Sequence, residues 1–210
     1  MGARVIVAIV LAGLAVLFIG YAQPCVAQGA ALIPLSAAVV LRRNPGGAIE
    51  GAKNPDVVLV EFFDYDCPYC KRLVPAIKAL LHQDAKVAII YKDWPILGNT
   101  SVYAARAALA AEWQGKYLIA HDALLRGARL ASAAQVDAVL EREGLDMQQL
   151  RKDQVTHASE IDARLARIDT EARALGIRGT PGLLVGRRPT PGDADAVTLQ
   201  QAVAAVRRNP

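Results

Sequence analysis

Two cysteines, Cys67 and Cys70, stand two residues apart with Pro68 and Tyr69 between them. Thiols at this spacing can close into a small disulfide and reopen with little backbone movement, which is redox chemistry that needs no cofactor. The segment behind them, from Lys71 to His82, places Leu73, Ile77, Leu80 and Leu81 at helical spacing. A helix starting here puts Cys67 at its positive end, where a thiolate is stabilised. Cys67 is therefore expected to be the attacking thiol at an exposed helix start. Its pKa should fall from near 8.5 into the range of roughly 3.5–7. Cys70, one turn further in, is expected to be less exposed and to resolve the mixed disulfide by attacking Cys67. Pro68 restrains the loop, and both Pro68 and Tyr69 are expected to tune the potential. The ring and hydroxyl of Tyr69 could contact Cys67 or a substrate, or could simply pack on the surface. The bland reading of the pair is a structural disulfide.

Other residues near the pair could carry charge or protons. Glu61 interrupts an apolar run, Val57 to Phe63, six residues before Cys67. A carboxyl in a buried strand is costly unless partnered or protonated. The alternative is an exposed strand end. Asp64 and Asp66 would disfavour a Cys67 thiolate if close, and turn contacts are expected of them instead. Lys92 is a candidate basic residue near the site, and a solvated strand end is the favoured reading of it. His82, His121 and His157 show no metal spacing, so no metal site is expected.

The elements that must position these groups can be read from pattern. Val57 to Phe63 reads as a buried strand, and Lys86 to Tyr91 as a second, with Lys92-Asp93-Trp94-Pro95 as its exit. Strand, helix and strand at this spacing suggest a parallel βαβ unit. Ser101 to about Leu175 contains no good strand. Helices are expected over Val102 to Trp113, Lys116 to Leu125, from Ser132 to a stop at Gly144, briefly over Met147 to Lys152, and over Ala158 to Leu175. The Arg and Glu residues of the last are expected on a solvated face. Gly182 to Gly186 reads as a short strand after Gly179-Thr180-Pro181. Arg187 to Gly192 reads as a turn-rich link with room for an edge strand, and Thr198 to Val206 as a closing helix. The class is α/β, in the order βαβ, helical insertion, ββα.

The N-terminus reads as a targeting segment. A short basic start, an apolar run from Val5 to Ile19 and small residues at Cys25-Val26-Ala27 give the layout of a cleaved signal peptide over residues 1–27. Pro24 stands where a lipoprotein would carry a small residue, so Cys25 is expected to leave with the signal. The rival is an uncleaved anchor, since Val5 to Ala22 reaches the lower length limit for crossing a bilayer, roughly 17 residues. Residues 28–55 read as an N-terminal extension with turn signals and little regular pattern. Residues 56–210 read as one domain, with its helical insertion at about 100–175. An exported chain left with one cysteine pair argues for a working dithiol rather than a disulfide framework. The net charge of +4 is mild, and no basic block with interleaved aromatics points to nucleic acid.

Three segments in order, Val60 to Cys70, Lys92 to Gly98 and Gly176 to Pro181, resemble the DsbA-like disulfide oxidoreductases of the bacterial envelope. The resemblance runs from about Pro55 onward and is nearest to periplasmic proteins with a helical insertion, the Com1 and ScsC types. It implies a thioredoxin fold and a cis proline beside the dithiol at Pro181. It implies that Glu61 exchanges protons with Cys70, and that Thr180 and Pro181 present backbone to a substrate. It implies reduced or unfolded exported proteins as substrates in the periplasm, and a membrane redox partner, DsbB-like or DsbD-like. The dipeptide lacks the histidine of strongly oxidising members, and Pro68-Tyr69 with Thr180 also resembles the isomerase and reductase branch. That branch carries a long oligomerisation arm. Fewer than 30 residues separate the expected cleavage site from the first strand, too few for a folded domain, which favours a monomeric oxidase. Ala31 to Arg42 is nonetheless apolar enough for a short oligomerising helix. A chaperone or metal-handling module that uses the fold without turnover is the rival class.

Overall fold

Seven consecutive buried residues, Val57–Phe63, form the central strand β2. Apolar side chains alternate onto both of its faces, the pattern of a strand covered on each side. The structure, a computed structural model, describes residues 48–209. The expected signal peptide, with Cys25, and most of the extension lie outside the described residues.

Before β2 comes a short strand, β1 (Ile49–Gly51). After β2 come α1 (Pro68–Gln83), β3 (Val87–Asp93), α2 (Asn99–Ala110) and a 3-10 turn at Ala111–Gln114. Helices α3 (Tyr117–Leu125), α4 (Ala133–Arg142), α5 (Met147–Thr156) and α6 (Ala158–Ala174) follow. The chain then returns to the sheet as β4 (Gly182–Val185) and β5 (Arg188–Thr190) and closes with α7 (Ala196–Arg208). The sheet order is β1-β3-β2-β4-β5. Strands β2 and β3 run parallel, with Glu61 opposite Tyr91 and Phe62 opposite Lys92. Strands β1, β4 and β5 are antiparallel to their neighbours.

The two faces of the sheet have different covers. On one, Leu59, Phe63, Ile89 and Val185 pack with α1 (Leu73, Ile77), α7 (Leu199, Val203) and the small-residue face of α2. On the other, Val58, Val60, Phe62 and Ile90 pack against Ile168 and Ala172 of α6. Local signals fix the helix ends. Ser132 caps α4 by accepting from the Gln135 N–H, Asp146 caps α5 through the N–H groups of Gln148 and Gln149, and Asp195 caps α7 through Thr198.

Three expectations are corrected. The extension yields β1, a half-exposed edge strand of three residues that is too short for a period to show. Gly51 is needed there, because its φ is +102° and a Cβ would sit 2.6 Å from the Val87 carbonyl oxygen. Helix α1 starts at Pro68 rather than Lys71, since proline suits the first helical position. Strand β3 runs on through Lys92 and Asp93, both fully buried. Lys92 is not at a solvated end: its ammonium meets a Glu171 carboxylate oxygen at 2.8 Å, and this partner makes burial tolerable. For the same reason α6 is not simply a solvated charged face. Its Arg164 also reaches Glu112 with two bonds, at 2.6 and 3.0 Å.

Candidate active site

Cys67 is the N-cap residue of α1 and Pro68 its first helical residue. The cap loop is held by the Cys67 N–H donating to the Asp64 carbonyl, 3.1 Å. Asp64 in turn is spent on backbone. One carboxylate oxygen accepts from the Asp66 N–H at 2.7 Å, and the other from Ile96 and Leu97 at 2.7 and 2.9 Å. These are the turn contacts expected of it, and they tie the dithiol loop to the segment after β3. Asp66 is paired with Arg129 at 2.7 Å.

Both thiols are free and both are covered. Cys67 is only 3% exposed, so the exposed helix start expected from sequence is corrected: the Thr180–Pro181 segment lies over it. Cys70 is fully enclosed. The two nevertheless titrate in opposite directions. Hydrogen bonding from Cys70 is the main influence lowering the Cys67 pKa to about 5, joined by the Thr180 side chain and the Cys70 and Tyr69 backbone. Burial opposes this, and so does the Thr180 carbonyl oxygen 3.2 Å away, which can accept only from the thiol form. Burial drives the Cys70 thiol far above its ordinary range, and the neighbouring Cys67 and Glu61 push the same way. At neutral pH the pair is thus a thiolate beside a thiol that donates to it.

Glu61 lies in the centre of β2, 1% exposed. Burial first, and the charge of Cys67 second, raise its pKa to about 8. Its Oε1 has no hydrogen-bond partner among the described residues. It is a protonated carboxyl at neutral pH, held close enough to both cysteines to be coupled to them.

The Thr180–Pro181 peptide is cis. Gly192 backs onto Pro181 so closely that a Cβ there would lie 2.8 Å from the proline ring and carbonyl. Tyr69 points away from the sulfurs: it is half exposed, and the Arg72 guanidinium sits 4.2 Å above its ring. Glu61, Cys67, Cys70, Thr180 and Pro181 are thereby brought together, while Tyr69 belongs to the rim.

Sequence reasoning missed a buried polar layer beneath the pair. The Tyr117 hydroxyl donates to Asp93 at 2.7 Å, and burial raises the Asp93 pKa to about 6. Tyr91 donates to Glu50 at 2.8 Å. His121, pushed down to about 3 by burial, is a neutral ring packed against Phe63 and Tyr91. Strand parity carried part of the signal, since Glu61, Tyr91 and Asp93 fall on one face of the βαβ unit. No group of three His, Cys, Asp or Glu residues able to hold a metal occurs among the described residues.

A thioredoxin-type sheet, a dithiol at the start of α1 and a cis proline against it define a thiol-disulfide oxidoreductase. Residues 58–204 match the family described as the DSBA-like thioredoxin domain, and the chain belongs to it. Among solved structures, a thioredoxin-like oxidoreductase from Silicibacter pomeroyi DSS-3 is 39% identical, with a TM-score of 0.76 over 81% of this chain and 97% of that one. The catalytic domain of Proteus mirabilis ScsC is 27% identical, with a TM-score of 0.70 over 81% and 96%. Among curated proteins, Na(+)/H(+) antiporter NhaA 1 of Salinispora arenicola is 29% identical over 160 residues, 74% of this chain. That match takes up 24% of the antiporter, so this chain spans about a quarter of the length of the first curated relatives it matches.

Proposed function

We propose that this protein is exported to the periplasm by a cleaved signal peptide and introduces disulfides into other exported proteins. The observation that carries the reading is the asymmetry of the dithiol. With Cys67 at about 5 and Cys70 kept as the thiol that donates to it, the Cys67 thiolate stabilises the reduced form, and a pair whose reduced form is stabilised is an oxidant.

In the working direction, a substrate thiolate attacks Cys67 Sγ of the Cys67–Cys70 disulfide. The S–S bond breaks, and Cys70 leaves with the electron pair and takes a proton. A second substrate thiolate then attacks the substrate sulfur of the mixed disulfide and releases Cys67 as a thiolate. The substrate has lost two electrons and the protein has gained them. Glu61 is the donor for Cys70 within reach. In the reverse direction, a Cys67 sulfur engaged in a mixed disulfide carries no charge. One of the two influences raising the Glu61 pKa is then gone, and the carboxylate can take up the Cys70 proton. Pro68 and Tyr69 set the loop between the sulfurs, and Thr180 and Pro181 offer backbone to the substrate. Turnover requires a DsbB-like membrane oxidant to take the two electrons onward. The protein acts as a monomer.

Equilibration with glutathione tests the direction. A potential near −120 mV is expected of a donor of disulfides. A potential near −270 mV overturns the oxidase reading in favour of a reductase or isomerase fed by a DsbD-like donor.

A further inference from the structure

Two cavities of opposite charge flank the first turn of α1. The first, of about 550 Å³, opens toward the helical insertion. Lys71, Arg72 and Arg129 line it against a single carboxylate, Asp66, and Arg129 already engages that carboxylate at 2.7 Å. Asp64, whose carboxylate accepts from backbone N–H groups, also acts on the Lys71 charge, but it does not line the cavity, which keeps three cations against Asp66. The Lys71 ammonium is pinned on the Leu124 carbonyl at 2.7 Å and is half buried, so it meets an incoming anion already oriented and partly dehydrated. Pro68 and Leu97, both exposed, give the cleft apolar walls.

The second cavity, of about 410 Å³, opens on the other side, toward the start of α7. Its charged lining is Asp193 and Asp195, both exposed, with Arg72 shared between the two cavities. The Asp195 pKa is lowered by Thr198, through its side chain first and its N–H second, which favours the charged carboxylate. The two cavities differ in sign, and Pro68 and Tyr69, the residues that follow Cys67, border one each.

We propose that this charge division aligns the substrate. A reduced or disulfide-bearing segment binds with acidic side chains in the Lys71, Arg72 and Arg129 cleft and basic side chains toward Asp193 and Asp195. This rests on the reading that protein thiols are the substrates, and it adds a polarity to them. A segment threads one way, and its mirror sequence is refused by like charges on both sides.

The test uses two cysteine peptides of identical composition and zero net charge, one with Glu residues before the cysteine and Lys after it, the other reversed. Each cysteine is activated as a mixed disulfide with thionitrobenzoate. The Cys67 thiolate of the reduced full-length protein attacks the peptide sulfur and releases the coloured thiolate. Cys70 then displaces the peptide as a free thiol, leaving the Cys67–Cys70 disulfide. Each rate is divided by that of the same peptide with a small thiol. One orientation is expected to react about tenfold faster at low ionic strength, with the ratio collapsing toward one at about 0.5 M salt and shrinking in Arg129→Gln. A ratio near one at low salt overturns the proposal, as does a ratio that salt or Arg129→Gln leaves unchanged. 4,4′-Dithiodipyridine, a neutral disulfide with no flanking charges, reports the dithiol alone. If it too fails to react, the proposed function falls and takes this inference with it.

Discussion

Ionisable groups are buried on both faces of this sheet, and they are treated differently. On the face covered by α6, Lys92 has a partner in Glu171 at 2.8 Å, and the neutral Trp94 indole N–H is likewise satisfied by Asp169 at 2.9 Å. On the face covered by α1, Glu61 keeps an oxygen with no partner among the described residues, and Cys70 is pushed away from ionising by burial, Cys67 and Glu61 with only the Asp64 backbone opposing them. A buried charge with a partner is architecture. A buried titratable group left without one meets the cost of burial uncompensated, as Glu61 does, and strongly displaced values are what proton and sulfur chemistry require. Substitutions on the α1 face should therefore change chemistry, and those on the α6 face should change stability alone.

The largest effect is expected at the dithiol. Cys67→Ser should lose thiol exchange by on the order of 10³-fold or more in insulin reduction or dithiothreitol oxidation. Cys70→Ser should instead accumulate mixed disulfides, visible by mass spectrometry. Equal loss without trapping in the two variants would break the assignment of attacker and resolver.

Glu61→Gln comes next. It should slow resolution of the mixed disulfide by roughly 10²-fold, because the proton of Cys70 loses its acceptor. It should also unmask a pH dependence that Glu61 cancels. In the unfolded chain Glu61 ionises near 4.5, whereas in the fold it keeps its proton to about 8. The reduced protein therefore loses stability as pH rises across that window. Cys67 acts oppositely. It ionises near 5 in the fold and near 9 when unfolded, so it adds stability as pH rises between those values. With Glu61 gone, denaturation midpoints of the reduced protein should climb from pH 5 to pH 8. A wild type whose midpoints climb as steeply as those of Glu61→Gln would remove the basis for treating Glu61 as the coupled acid.

The sequence made one face far more legible than the other. Cys67 and Cys70 announce themselves by spacing, Glu61 by interrupting an apolar run, and Pro181 by family resemblance. These signals are local or motif-borne. Lys92 was misread because its solvation is decided by Glu171, seventy-nine residues away, and no periodicity reports a partner at that separation. The cover over Cys67 was invisible for the same reason, since Thr180 reaches it from 113 residues downstream. Strand β1 escaped because three residues cannot display an alternation, and the contacts that define it come from β3.

Lys92→Met turns that misreading into a measurement. The apolar stem is kept, the ammonium is lost, and Glu171 faces an apolar wall unpaired. A destabilisation of about 2 kcal/mol is expected in chemical denaturation. Adding Glu171→Leu should recover most of it. The reduction potential should stay where it was, and a shifted potential would mean that the α6 face takes part in the chemistry.

Trp94→Phe should give the smallest effect and draws the boundary between the faces most finely. Trp94 is buried beside Phe62, edge to face at 6.4 Å, and its N–H reaches Asp169 on α6. Its backbone N–H is bonded to Phe63 of β2 at 2.8 Å, so the residue sits two positions from Ile96, which Asp64 holds, on one side and one helix contact from the insertion on the other. Phenylalanine keeps the edge contact but gives up the bond and some volume. The loss should be about 1 kcal/mol, since Asp169 is exposed enough to be rehydrated. If unpaired burial is what marks a working group, the Cys67 titration followed by thiolate absorbance should keep its midpoint near 5 in this variant. A displaced midpoint would mean that packing on the α6 face reaches the sulfur through β2, and the division between the two faces would then be one of degree.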